Sequence, residues 1–142
     1  MILDSVPEPQ AHFVEEIDPI TLLLIDDDRE QCEVLAHRLN RQGFEVVMAH
    51  TGRNGLQAAR EVKPDAIVLD VRLPDADGLD LCQTLTDDNT TGCIPVIIVS
   101  GCERPNIVRQ ARQSGCRYYV RKPYDPNALL LLIEDTLRGE FV

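Results

Sequence analysis

Aromatic residues make up only 4% of this 142-residue chain and tryptophan is absent, so any core must be packed from aliphatic side chains. Lysine is almost missing as well: Lys63 and Lys122 stand against twelve arginines. No apolar run approaches the ~20 residues that a membrane span requires. The first residues also lack the basic start and apolar stretch of a secretion signal. Positive charge is in deficit, with 14 Lys+Arg against 24 Asp+Glu and a formal net charge of −10. The resulting pI near 4.6 opposes direct DNA binding, RNA binding or attachment to an anionic membrane, all of which need a basic footprint. CxxC pairs are absent too. Cys32, Cys82, Cys93, Cys102 and Cys116 are odd in number and read as reduced thiols of a cytoplasmic protein.

Two regions differ in composition. Residues 1–20 carry Asp4, Glu8, Glu15, Glu16 and Asp18, no Lys or Arg, and Pro7, Pro9 and Pro19. Ala11–Ile17 could form a short helical turn, but the segment reads as a solvated acidic tail. Residues 21–142 read as one domain. Short apolar runs at Leu22–Ile25, Glu45–Ala49, Ala66–Leu69, Val96–Val99 and Arg117–Val120 are expected strands. Helical periodicity fills the gaps. Cys32, Leu35, Ala36 and Leu39 share one face, behind Asp28 and Gln31 at capping-box spacing and ahead of a stop at Gly43. A second helix opens at Thr51 and ends before Pro64, and a third covers Gly78–Leu85, ahead of polar turn material at Asp87–Gly92. Pro105–Ser114 is a fourth, with proline in its first turn, and Asp125 and Pro126 start a fifth through Leu129, Ile133 and Leu137. The four consecutive leucines Leu129–Leu132 cannot all face inward. Strands that are apolar at every position belong in a parallel sheet covered on both faces, and alternating βα units wind such a sheet in both directions. The expected fold is α/β and doubly wound, with a five-stranded parallel sheet and five helices.

Open α/β sheets bind ligands beyond the carboxyl ends of their strands. Those ends carry Asp26-Asp27-Asp28, Asp70, Ser100-Gly101 and Arg121-Lys122-Pro123. Carboxylates of Asp26, Asp27 and Asp70 brought within ~5 Å would repel by ~3 kcal/mol per pair at an effective dielectric of 20. Such a cluster calls for a cation, and hard oxygen donors with open water positions suit Mg²⁺. Lys122 and the Ser100 hydroxyl would complete a phosphoryl clamp, and the chemistry left is a carboxylate that accepts a phosphoryl group.

LLLIDDD, VLDVRLPDADG, VIIVSG and YYVRKPY, in this order and spacing, resemble the receiver domain of two-component response regulators over about Thr21–Arg138. The resemblance implies a flavodoxin-like strand order 2-1-3-4-5. It makes Asp70 the phosphoacceptor, charged from the phosphohistidine of a sensor histidine kinase or a histidine phosphotransfer protein. Mg²⁺ would be held by Asp26, Asp27, Asp70 and the main-chain carbonyl of Arg72. Lys122 would bind a phosphoryl oxygen, aimed by a cis peptide at Pro123. Ser100 would swing to the phosphoryl group, and Tyr119 would turn inward as an aromatic switch. The face built from helix four, strand five and helix five would then bind a downstream protein, and the resemblance also allows a phosphorylation-dependent dimer. It implies a signalling module and not an enzyme turning over a metabolite.

Three positions depart from the pattern. Gly101 stands where alanine is commoner and leaves room beside Ser100, while Arg72 and Cys102 fill the two variable positions that tune dephosphorylation in the family. With no output domain attached, the chain resembles a stand-alone or excised receiver. Between Arg104 and Tyr124 there is no acid but Arg104, Arg109, Arg112, Arg117, Arg121 and Lys122, a basic patch that is either a solvated face or a dock for an acidic partner or the acidic tail.

Two rivals share parts of this chemistry. A haloacid-dehalogenase-like phosphatase would use Asp26 and Asp28 as D-x-D, but Glu30 fills the next motif place and strand four ends in Ser100 instead of an acid. A flavin-binding module would need a hydroxyl- and glycine-rich loop where Asp26–Asp28 would repel the phosphate.

Overall fold

The structure, a computed structural model, describes residues 18–139. The helical turn considered at Ala11–Ile17, and nearly all of the expected tail, lie outside the described residues. Asp18–Ile20 lead exposed into the first strand. The elements alternate as β1 (Thr21–Ile25), α1 (Arg29–Arg41), β2 (Glu45–Ala49), α2 (Gly52–Val62), β3 (Ala66–Asp70), α3 (Gly78–Asp87), β4 (Val96–Ser100), α4 (Ile107–Gln113), β5 (Tyr118–Arg121) and α5 (Pro126–Arg138). The strands form one parallel sheet in the order β2-β1-β3-β4-β5. The expected fold class is therefore the observed one.

The apolar runs explain the layering. Alternate residues of each inner strand serve opposite faces. Leu23, Ile25, Ile67, Leu69 and Ile98 pack with α2, α3 and α4, while Leu22, Leu24, Val68, Ile97 and Val99 pack with α1 and α5. Leu129 and Ile133 anchor α5 in the second layer, whereas Leu131 is 65% exposed. β5 is an edge strand, half-buried along Tyr118–Val120, which is why its pattern is less apolar.

Local chemistry sets the helix ends. Asp28 caps α1 by accepting the Gln31 N–H, and Thr51 caps α2 by accepting from Asn54. Thr91, fully buried in the expected polar turn, donates its hydroxyl to the Leu85 carbonyl near the end of α3. The fourth helix is shorter than expected. Asn106 sits at φ 60°, ψ 21°, a left-handed conformation that a right-handed helix cannot pass through, so Pro105 belongs to the preceding turn and α4 starts at Ile107. β5 also begins one residue later than expected, although the Arg117 N–H already donates to the Val96 carbonyl. No helix among the described residues is long and apolar enough to cross a membrane.

Candidate functional site

Strand order decides where the site lies. From β1 the chain moves to one side, to β2, and β3 returns on the other, so the crevice between β1 and β3 opens beyond their carboxyl ends. Asp70 is the last residue of β3, and Asp26 follows β1 with its N–H still donating to the Ala49 carbonyl at 3.0 Å. Oxygens of Asp26, Asp27 and Asp70, one from each carboxylate, all lie within 4.8 Å of one another. An oxygen-only, acidic donor set of this kind fits a hard divalent cation such as Mg²⁺. Asp28 is not part of it, because its carboxylate caps α1.

Lys122 reaches across from the end of β5. Its Nζ lies 3.1 Å from Asp70 Oδ2, 3.4 Å from Asp26 Oδ2 and 3.3 Å from Gln31 Oε1. Burial alone would lower the Lys122 pKa, but the facing charges of Asp70 and Asp26 outweigh it and hold the ammonium above its ordinary value. Burial pushes the Asp26 carboxyl above its ordinary range, only partly offset by the Asp28 N–H and by Lys122. The Lys122–Pro123 peptide is cis, as expected.

The remaining candidates surround this centre. Ser100 is fully buried, and its Oγ accepts the Cys102 N–H at 2.9 Å, which leaves its own proton available for donation. The Arg72 N–H donates to Asp70 Oδ1 at 3.2 Å, so the two oxygens of Asp70 are held by different groups. Tyr119 packs against the α2–α4 layer with its hydroxyl buried and unpartnered, so the ring faces inward. All five cysteines are free. Burial pushes the Cys32 thiol up to about 12 and the Cys116 thiol up to about 11, whereas the Arg104 N–H and the Arg72 side chain hold Cys102 below its ordinary value. Two members of the basic patch are paired with acids, Arg104 with Asp77 at 2.8 Å and Lys122 with the acidic centre, while Arg109, Arg112 and Arg121 are exposed. Gly101 leaves room for a further carbon, as expected, since an added Cβ would meet only Lys122 Cβ, at an ordinary 3.8 Å.

Several contacts were not foreseen from the sequence. The Gln31 side chain does not complete a capping box but accepts from Lys122, and the Asp28 N–H goes instead to Asp26 Oδ1 at 2.9 Å. His50 Nδ1 lies 2.8 Å from the Asp26 carbonyl. Asp75, in the loop after β3, accepts the Gly52 and Arg53 N–H groups at the start of α2, and these donors hold its carboxyl below the usual range.

Comparison with known proteins agrees with this architecture. The response regulator receiver domain family matches residues 22–134. The chain is 33% identical over 118 residues to protein PilH of Pseudomonas aeruginosa, covering 83% of this chain and 98% of that one. It is 30% identical to the polar-differentiation response regulator DivK of Brucella anthropi, over 74% of this chain and 85% of the relative. The crystal structure of a CheY-like receiver domain protein from Methanospirillum hungatei superposes with a TM-score of 0.80 at 25% identity, over 85% of this chain and 95% of that one. A parallel sheet in this order, with an acidic crevice beyond β1 and β3 and a lysine from β5 reaching into it, is thus accompanied by sequence kinship over nearly the whole described fold, and the chain belongs to the response regulator receiver domain family of two-component signalling.

Proposed function

We propose that this receiver works as a Mg²⁺-dependent phosphoacceptor, with Asp70 taking a phosphoryl group from the phosphohistidine of a sensor histidine kinase or histidine phosphotransfer protein. The observation that carries the reading is the contact of Lys122 Nζ with both Asp70 and Asp26, beside carboxylate oxygens gathered within 4.8 Å. A carboxylate oxygen of Asp70 attacks phosphorus in line. The phosphorus–nitrogen bond breaks, its electron pair stays on the histidine nitrogen, and an acyl phosphate forms on Asp70. Asp26, Asp27, Asp70 and the Arg72 carbonyl would hold Mg²⁺, which when bound neutralises charge on the phosphoryl oxygens. Lys122 stays with Asp70 as a cation for another phosphoryl oxygen, and the Ser100 hydroxyl donates to a third. Movement of Ser100 toward the phosphoryl group is transmitted to Tyr119 and to the surface formed by α4, β5 and α5, where a downstream protein binds.

The test is intact-mass spectrometry after incubation with acetyl phosphate. With Mg²⁺ the protein gains one phosphoryl group, and with chelator it does not. Asp70→Asn gains none. Equal gain by Asp70→Asn would remove the assignment.

A further inference from the structure

We propose that His50 is a positioning residue for the metal-binding loop, acting through the main-chain carbonyl of Asp26. The inference rests on the reading of Asp26 and Asp27 as metal ligands and adds a residue outside that ligand set.

The geometry is that of an extra rung in the sheet. The parallel ladder between β1 and β2 closes with the Asp26 N–H donating to the Ala49 carbonyl. The next acceptor along β1 is the Asp26 carbonyl. A backbone N–H from β2 would ordinarily meet it, but the chain turns away there to start α2 at its Thr51 cap. His50 supplies the missing donor from its side chain, with Nδ1 at 2.8 Å. A carbonyl oxygen only accepts, so Nδ1 carries the proton. The ring is half-buried, and losing it would leave a strand-end carbonyl without its partner.

The held carbonyl belongs to the peptide that joins Asp26 to Asp27, so its plane sets the direction in which Asp27 leaves the chain. This matters because the other side-chain tether of the centre does not reach Asp27. Lys122 steadies Asp26 and Asp70, while Asp27 is exposed and takes its direction from the backbone. Hydrogen bonds that orient ligand groups are worth on the order of 10–100-fold in metal affinity when removed. One acting through a peptide plane belongs at the lower end.

The test is Mg²⁺ titration of the full chain by calorimetry at fixed pH and salt. His50→Phe keeps a ring but has no donor, and His50→Asn places an amide N–H near the Nδ1 position without the ring. His50→Phe should bind Mg²⁺ on the order of 10-fold more weakly than wild type, and His50→Asn should return close to wild type. A role in packing alone would give the opposite ranking. The inference is overturned if His50→Phe binds as wild type does, or if His50→Asn is as weak as His50→Phe. Asp27→Asn serves as the reference. If wild type itself takes up no Mg²⁺, or Asp27→Asn binds as tightly as wild type, the ligand assignment falls first and the role of His50 falls with it.

Discussion

Gly78 shows how closely one residue can control the strand that ends in Asp70. A Cβ at this position would lie 2.3 Å from the Asp70 carbonyl oxygen and 2.6 Å from Val71 Cα. Both neighbours are backbone, so neither can rotate aside, and the Gly78 N–H already donates to the Val71 carbonyl. Gly78→Ala must therefore push the start of α3 away from β3, at a cost of about 1–3 kcal/mol typical of overpacking. It should melt below wild type and accept phosphate more slowly from acetyl phosphate. Gly101→Ala is the comparison, because its Cβ meets only Lys122 Cβ at contact distance and should leave melting nearly unchanged. A Gly78→Ala protein that melts with wild type would show that the loop gives way freely. Asp26, Asp27, Asp70, Ser100 and Lys122 were legible because each closes or follows a short strand. Gln31 and His50 were not, since their partners lie on other segments: Gln31 meets Lys122 and His50 meets Asp26. At Gln31 the capping-box spacing pointed to a local role that the side chain does not take.

Between elements, the most informative tie joins the start of α3 to the loop after β4. Asp77 caps α3 through the Leu79 N–H and pairs with Arg104 at 2.8 Å. The Arg104 hydrogen bond, opposed by burial and helped by the Leu79 N–H, holds the Asp77 carboxyl below its ordinary 3.8. A carboxyl depressed in the folded state adds stability that is complete well above 3.8 and is lost as pH falls through the folded value. Asp77→Asn keeps a good cap but removes the charge. The variant should be less stable than wild type at pH 6 by up to about 1 kcal/mol, because both side chains of the pair keep about a third of their surface in water. The gap should close as both are taken into acid, which urea unfolding across the pH series would measure. A gap that stays constant with pH would mean that the pair contributes nothing through the Asp77 charge. The shortness of α4 just beyond this tie also marks where sequence patterning ran out. Proline before a periodic stretch is an ordinary helix start, but the left-handed Asn106 intervenes, and nothing in the local residue order required that conformation.

At the scale of the whole molecule, a chain of net charge −10 concentrates three acids where, among the described residues, only Lys122 answers them. The sheet can hold this arrangement because β1, β3 and β4 are buried on both faces, a feature already visible in their unbroken apolar runs. Lys122 balances Asp26 and Asp70 and leaves Asp27 uncompensated. Without metal, the folded state therefore carries a repulsion that the unfolded chain relaxes. Asp27→Asn should melt above wild type in chelator, by no more than about 1 kcal/mol because Asp27 is exposed and screened. Mg²⁺ reverses the comparison. A ligand that binds only the folded state stabilises it by about 2.7 kcal/mol at a hundred times its dissociation constant. Wild type should gain that stabilisation, while Asp27→Asn, lacking one of the proposed ligands, should gain much less at the same concentration. The order of melting temperatures then inverts between chelator and Mg²⁺. High salt separates the two effects, since it shrinks the chelator gap by screening without supplying the missing ligand. Equal Mg²⁺ stabilisation of both proteins would mean that Asp27 does not contact the metal and that its carboxylate only adds to the surface charge.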